Sequence, residues 1–549
     1  MRLIPPPAGR TAAAIARAVS SPLVAAALAG SVSLAAMPAA AQFDPRPRLL
    51  VTTDIGGDPD DQQSLIRLLA HADAFRIEGL IASARGTPGE GGDAEPQPQQ
   101  IEDRIEAYGL HLDTLRIHNP AFPDTQNLLS KVESGTKDRG LSKIGVGEEN
   151  AGARAIEAAV DASSEPLHVA IWGGATELAQ AMVNVQNERS PGEVQDFVAK
   201  LRVHAINDQD GYVDANEGTL AWIKQEFPTM LIIDPTPAGA ASDDLARRFD
   251  STYRGMYQND STNGADTPIP LVSDDVAALT TQAWIQENVN QNHGALGALY
   301  PDNVIQNPQT DRNTIGFKEG DTPSWFSFFP NGLADPDDPA LGNWGGRYQS
   351  AGDGTNHFVP AFDTLPDDTV TDEAARSKWT IARYREAYQN EFANRMDWFV
   401  AENFADANHP PTPFTFVPSF PKRSTVSPGG SAFLFSDGWF DPDGDDLTYT
   451  WWLYEDAGTG VIPESLFDAL DAANVAQANS PFLSPLNIDL SGIASGSELH
   501  FILEVTDADT PLPFTRYERF IVTVGTRIIP EPATGLLALS LPAMARRRR

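Results

Sequence analysis

The sequence predicts an α/β domain, a mostly parallel sheet with helices on both faces, followed by an all-β immunoglobulin-like sandwich. Three observations carry this. From Arg48 to about Ala240, short apolar runs that close at Asp, Asn or Gly alternate with amphipathic stretches, the pattern of a sheet covered on both sides. After "NHPPTPF" (408–414) the alternation stops. The chain then runs for about 110 residues as short strands joined by acidic turns, the signature of a sandwich.

At the start of the chain, Arg2, Arg10 and Arg17 precede the apolar run "PLVAAALAGSVSLAA", and "MPAAAQ" offers a small-residue cleavage site after Ala41. Residues 1–41 therefore read as a secretory signal peptide, the alternative being a buried N-terminal helix. The runs "RLLVTT", "FRIEGLIASA", "PLHVAIWGG", "KLRVHAIND" and "TMLIID" read as buried strands. Between them, "DQQSLIRLLAHAD", "AGARAIEAAVDA" and "ELAQAMVNVQN" read as helices. Residues 260–372 are rich in Gly, Pro, Asn, Trp and Phe with weak periodicity, and loops of that length inside a domain usually carry function. A helix is predicted from about Thr371 to Asn403, with Trp379, Ala382, Ala393, Met396 and Val400 on its apolar positions. The α/β domain spans 47–407, a linker 408–414 and the sandwich 415–526.

Composition narrows the partners. With 39 Lys and Arg against 75 Asp and Glu, the net charge is −36, which sets nucleic acid polymers aside. The chain has no cysteine, so disulfide, thiol and Cys-zinc chemistry are excluded. The apolar runs at the two ends fall short of the roughly 18–20 residues that a stable membrane span needs. Membrane contact is expected only in passing, through the processing segments.

The informative stretch is "VTTDIGGDPDDQQSLIRLLAHAD", residues 51–73. Asp54, Asp58, Asp60 and Asp61 crowd the turn between a strand and a helix, spaced by Gly56, Gly57 and Pro59. In parallel α/β sheets, ligands bind beyond the carboxyl ends of the strands. Carboxylates crowded there repel one another and would take up protons unless a cation sits among them. Calcium accepts six to eight hard oxygen ligands, and the glycines let the backbone turn tightly around it. The alternative is that Asp60 or Asp61 caps the helix beginning near Gln62.

"TTDIGGDPDDQQSL" resembles the opening "DxDPGxDD" of the nucleoside hydrolases, with two extra residues in the turn. It is more similar still to an exported bacterial family with a nucleoside-hydrolase-like domain, described as cellulose-binding. The blocks "EGLIASARGTPGE" (78–90), "IWGGATELAQAM" (171–182), "HGALGALYP" (293–301), "EGDTPSWFSFFPNGL" (319–333), "NWGGRY" (343–348) and "NHPP" (408–411) match in the same order. The resemblance runs from about residue 47 to 525. It implies Ca2+ held by Asp54, Asp61, Asp321 and the backbone carbonyl of Thr176, with Asp54 also activating the attacking water. It implies a sugar contact at Asp60. Asp58 lies in the inserted residues and has no counterpart.

Other family positions differ. "ARGTP" stands where the family has a sugar-binding Asn, and Gly320 where a leaving-group His often precedes the last metal ligand. His293 is the replacement acid considered, the alternative being a structural histidine. "NDQDGYVDANEG" (207–218) replaces the sugar-binding "ExN" segment, so Gln209 and Asp210 are the candidate substrate contacts, or parts of a polar turn. Trp325, Phe326, Phe328 and Phe329 read as an apolar core strand with an adjacent loop, or as a sugar-stacking wall. "DPDGDD" (441–446) reads as a solvated hairpin turn, or as a weak calcium site.

The tail, with Pro530–Pro532 "PEP", an apolar stretch and Arg546–Arg549, resembles a PEP-CTERM sorting signal over 530–549; the alternative is a disordered basic tail. These readings lead to an exported, calcium-dependent hydrolase of a glycosidic bond, most simply N-glycosidic. It would be extracellular, cell-surface or periplasmic. Its partner would be a carbohydrate or glycoside, with the extracellular polysaccharide matrix as a further one. The alternative is a non-catalytic polysaccharide-binding protein on the same fold.

Overall fold

The computed structural model describes residues 44–57, 59–85, 95–211, 214–235, 251–256, 273–307, 312–366, 369–414, 421–436, 438–478, 483–508 and 510–525. The expected signal peptide and sorting tail, and Asp58, lie outside the described residues.

The strands of the first region are β1 (Arg48–Thr53), β2 (Arg76–Ala82), β3 (Val132–Ser134), β4 (Leu167–Ile171), β5 (Leu201–Ala205) and β6 (Leu231–Ile233). A hairpin, β7 (Asn303–Asn307) and β8 (Arg312–Ile315), stands apart, and β9 (Tyr348–Ser350) and β10 (His357–Pro360) follow. They form an eight-stranded sheet in the order β3-β2-β1-β4-β5-β6-β10-β9, the hairpin excepted. Only the β9–β10 pairing in this sheet is antiparallel. All five expected strands are present. β3, β9 and β10 carry only three or four residues each and leave no run for a periodicity to mark.

Every residue of β1 is buried, as a central parallel strand covered on both faces must be. Successive side chains alternate between two cores: Leu49 and Val51 enter one, Leu50 the other. The helices that cover the sheet early in the chain are α1 (Asp60–Ala70), α2 (Pro98–Gly109), α3 (Leu112–His118), α4 (Thr125–Leu129), α5 (Ala151–Asp161), α6 (Thr176–Glu188), α7 (Pro191–Ala199) and α8 (Thr219–Glu226). After them come the short α9 (Asp274–Ala278), α10 (Gln282–Ile285), α11 (Gly294–Gly297) and α12 (Thr322–Phe326).

The helix expected over 371–403 is two helices, α13 (Glu373–Ala382) and α14 (Arg385–Asp397). The break falls at Arg383, which turns back to donate to Asp363 Oδ2 at 3.0 Å. Val400, read as apolar and inward, lies beyond α14 and is 41% exposed. The four aromatics at 325–329 are all buried, with Trp344 packed on Phe326 and Phe329. They form core, not a sugar wall, but on a helix, α12, and the turn after it rather than on the expected strand.

The second region holds β11 (Thr412–Pro413), β12 (Lys422–Val426), β13 (Ser431–Leu434), β14 (Trp439–Phe440), β15 (Leu447–Leu453), β16 (Leu486–Asp489), β17 (Glu498–Asp507) and β18 (Thr515–Val524). A four-stranded sheet, β12-β18-β17-β15, shares a core with the β13–β16 pair. The sequence reading missed α15 (Glu464–Ala478), whose Leu466 and Leu470 enter that core.

The expected linker is not a loose one. His409 is 3% exposed, and its ring stacks on Phe404 at 3.7 Å. Asn408 donates to Asp507 Oδ2 at 2.8 Å. The outer face of β17 and β18 closes the core of the first region: Tyr517 donates its N–H to the Asn331 carbonyl at 2.9 Å, and Arg519 donates to the Gly342 carbonyl at 2.7 Å. Both regions belong to one unit, Pro45–Arg549. The proline-rich spelling of 408–414 signalled a break in secondary structure, which is a different thing from a break in packing.

Candidate functional site

The chain lays down β1, β2 and β3 to one side and then crosses back to place β4 on the other side of β1. This reversal makes the carboxyl ends of β1 and β4 the topological switch point, where open α/β sheets bind ligands. Asp54 leaves β1 at that end and is 6% exposed. The turn closes when Gly57 donates its N–H to the Asp54 carbonyl at 3.2 Å. Gly56 has φ +95°, and a Cβ there would meet the Gln100 side chain at 2.6 Å. The turn therefore needs glycine for its conformation and for space.

The capping alternative does not hold. α1 begins at Asp60, Pro59 occupies the N-cap, and no side chain caps the helix. Asp61 instead accepts from the Thr53 hydroxyl, which itself accepts from the Ile55 N–H at 3.2 Å. Both acids sit in the first helical turn, where the helix dipole favours negative charge.

The inner face of α1 is polar and buried, and it brings Asp321 to the site from far along the chain. Gln63 donates to the carbonyls of Pro301 (2.6 Å) and Gly316 (3.0 Å) and accepts from the Lys318 N–H (2.7 Å). Arg67 pairs with Glu319, both fully buried, and donates to Gln389 at 2.6 Å. Glu319 also accepts from the hydroxyls of Tyr300 (2.8 Å) and Thr322 (2.7 Å). Burial pushes the Glu319 carboxyl up, and Arg67 opposes that. Asp321 follows two residues later. An oxygen from each of Asp60, Asp61 and Asp321 lies within 4.8 Å of the other two. Asp61 is 2% exposed and Asp321 1%.

Three carboxylates held this close, two of them buried, fit a hard divalent cation in number, chemistry and burial. Asp60, expected as a sugar contact, is grouped with them. Thr176 opens α6, and its hydroxyl turns to the β5 side. That hydroxyl donates to Asp210 Oδ2 at 2.9 Å and accepts from the Gly140 N–H at 3.0 Å.

A second layer lies on the β5 side. The Asp210 side chain is fully buried. Its Oδ2 also accepts from the Thr219 hydroxyl, and its Oδ1 has no hydrogen-bond partner. Arg139 stands between this group and the β1 end, its Nη2 3.9 Å from Asp54 Oδ2 and its Nε 3.9 Å from Asp210 Oδ1. Its Nη1 is buried without a hydrogen-bond partner. Gly173 and Gly174 make room: a Cβ on Gly174 would meet Asp210 Oδ1 at 1.9 Å, and one on Gly173 would meet Asp54 at 2.9 Å. Gln209 donates to the Trp172 carbonyl at 2.8 Å, which ties the loop after β5 to the end of β4. Burial, reinforced by the charge of Asp210, pushes the Asp208 carboxyl up to about 7. Burial likewise pushes Glu177 up to about 7.

His293 lies elsewhere. Its Nε2 is 3.1 Å from Asp397 Oδ1, at the end of α14. The neighbouring Ala295 N–H donates to His111 Nε2 at 2.9 Å, just beyond the C-terminus of α2. Gln97 and Gln100, at the N-terminus of α2, are the side chains against Gly56. A 12-residue helix is about 18 Å long, so the structure sets His293 apart from the switch point.

The sequence reading missed Arg139, Glu177, Asp208 and the Arg67–Glu319 pair. "KDRG" carries no motif, and the pair spans α1 and a loop with no local signal. Glu177 could have been found, being an acid one residue after Thr176.

Strand order, switch point and acid cluster define a nucleoside hydrolase-like α/β protein with an appended β-sandwich. Residues 48–348 match the family described as cellulose-binding Sde182, nucleoside hydrolase-like domain. Residues 434–524 match the cellulose-binding protein Sde0182, C-terminal domain. The chain belongs to this family. A solved structure of a nucleoside hydrolase-related hypothetical protein from Saccharophagus degradans, associated with carbohydrate metabolism, is similar at 27% identity and a TM-score of 0.62, covering 87% of this chain and 100% of that one. The effector protein XOO4466 aligns at 13% identity over 63% of this chain and 95% of its own, and its TM-score of 0.26 is too low to bear on the fold. No curated protein matches the chain. Among the described residues, no helix is long and apolar enough to cross a membrane.

Proposed function

We propose that the chain is an exported, calcium-dependent hydrolase of a glycosidic bond, N-glycosidic by analogy with its fold. The observation that carries this is the Asp60, Asp61 and Asp321 cluster, set beside Asp54 at the switch point. These three acids would hold the cation, with Asp54 and the Thr176 carbonyl as the further ligands that the resemblance implies. Bound there, calcium would supply a water of lowered pKa. Asp54 takes the proton of the attacking water as general base. The water oxygen forms the bond to the anomeric carbon as the bond to the leaving nitrogen breaks. Positive charge grows on the sugar ring, and the surrounding carboxylates stabilise it. Arg139, whose buried Nη1 lacks a hydrogen-bond partner, would donate to a sugar hydroxyl.

No histidine serves the leaving group at this site among the described residues. General acid catalysis typically contributes about 10²–10⁴-fold, so turnover should be slow and favour leaving groups that depart unaided. A p-nitrophenyl riboside should be cleaved weakly, and Asp54→Asn or a chelator should abolish cleavage. Inosine and uridine should be poor substrates. Rapid inosine cleavage would contradict this reading.

A second reading, a binding protein for cellulose or a related polysaccharide, is favoured by a different observation. The sandwich region exposes Phe433 (67%), Phe435 (58%), Phe414 (61%) and Phe440 (39%), and Phe414 stacks on Phe440 at 5.4 Å. Exposed rings of this kind mark binding surfaces. Retention on insoluble cellulose that Phe433→Ala and Phe435→Ala remove, with no turnover of any activated glycoside, would decide for it.

A further inference from the structure

The second acidic turn, "DPDGDD", lies far from the switch point in sequence and has its own construction. Asp441 Oδ1 accepts the backbone N–H groups of Asp443 (2.8 Å), Gly444 (3.0 Å) and Asp445 (3.2 Å). This folds the loop around one carboxylate and leaves Asp441 Oδ2 buried with no hydrogen-bond partner. His409 fixes Asp443: its ring Nδ1 lies 2.9 Å from Oδ1, and its N–H donates to Oδ2 at 2.7 Å. Oxygens of Asp441, Asp443 and Asp445 lie within 4.8 Å of one another.

An acidic hairpin turn alone would be no more than a solvated loop. The independent observation is Asp507, near the end of β17. It is 1% exposed, and its Oδ1 is buried with no hydrogen-bond partner, while its Oδ2 accepts from Asn408. Strand pairing sets Asp507 opposite Leu447, and Ala508 donates its N–H to the Asp446 carbonyl at 2.7 Å, so Asp507 backs directly onto the loop. A fully buried carboxylate oxygen with no hydrogen-bond partner, on a strand end that adjoins an acidic loop, is costly unless a cation completes it. A cleft of about 580 Å³ lined by Asp443, Asp445, Asn408 and Leu512 opens beside the loop and gives an entry path.

We propose that Asp441, Asp443 and Asp445, backed by Asp507, form a second site for a hard divalent cation of the calcium class. Its place gives it a structural task. Asn408 and His409, which end the α/β region, hold Asp507 and Asp443 respectively, so a cation here ties the sandwich to the first region. This inference stands whether or not the switch-point acids bind a metal.

The test is calorimetric titration of the full chain with calcium chloride, beside Asp443→Asn/Asp445→Asn and Asp61→Asn. The double variant should bind one ion fewer per chain than the wild type and keep any heat that Asp61→Asn removes. A double variant that binds as the wild type does would overturn the proposal. Hydrogen exchange of the wild type with and without calcium needs no variant to fold. Protection should rise at 408–410, 441–446 and 505–508, and no change in those segments would overturn the proposal equally.

Discussion

The two acidic turns, "DIGGDPDD" (54–61) and "DPDGDD" (441–446), look alike as strings and are built in opposite ways. The first completes its cluster with Asp321, which arrives through a buried network of Gln63, Arg67 and Glu319. The second folds around Asp441 within a few residues and meets His409 and the end of β17 from outside. The first is therefore inseparable from the fold of the α/β region. The second belongs to the joint between regions. Acidic spelling signals a cation in both places, but only the partners show what a cation there would hold together.

The comparison breaks most visibly at Arg67. Arg67→Met leaves the buried Glu319 without its cationic partner, which should cost about 3–5 kcal/mol. Denaturant unfolding measures this, and calcium binding at the first turn should be lost with it. A loss under about 1 kcal/mol would mean that Asp321 is placed by something else.

Calcium removal comes next. A ligand present at about 100 times its Kd stabilises the folded state by about 2.7 kcal/mol. Asp61→Asn should remove that stabilisation from thermal melts at the first turn and leave the contribution of the second. Equal calcium responses in variant and wild type would dissolve the distinction between the turns.

A smaller effect concerns pH. Burial, then the charge of Asp210, holds Asp208 up at about 7, above the roughly 3.9 of an unfolded aspartate. The folded state thus favours the protonated form. Its contribution is present below about pH 4 and lost as pH rises through about 7. Melting temperature should fall across that window in chelator, and Asp208→Asn should flatten the fall. The amide oxygen of that variant would still accept the Ala221 N–H that Asp208 accepts at 2.9 Å. An unchanged slope would rule Asp208 out as its source.

The joint supplies the mildest test. With His409 buried and stacked on Phe404, limited proteolysis should leave 408–414 intact while calcium is present. Release of a folded sandwich by a cut there would restore the independent domain that the sequence suggested.

Local patterns were legible. The five main strands, the turn at Asp54 and the core role of Trp325 to Phe329 followed from period, Gly and Pro placement and apolar runs. What escaped was set by distance or by polarity in the core. α14 buries Arg385, Gln389, Asn390, Glu391, Asn394 and Arg395 beside the apolar stripe of Tyr388, Phe392 and Met396, and an apolar pattern does not announce buried polar partners. Arg139 reaches Asp54 and Asp210 from a loop with no motif. His293 was read near the site because a histidine was wanted there, and Asp397 holds it elsewhere.

The most direct test of the central claim is anomalous diffraction from crystals of the full chain soaked in terbium, a calcium substitute with a strong signal. The account predicts a peak among the carboxylates of Asp60, Asp61 and Asp321 that disappears in Asp321→Asn. A well-ordered switch point with no peak there, at a concentration that fills the loop at 441–445, would contradict it.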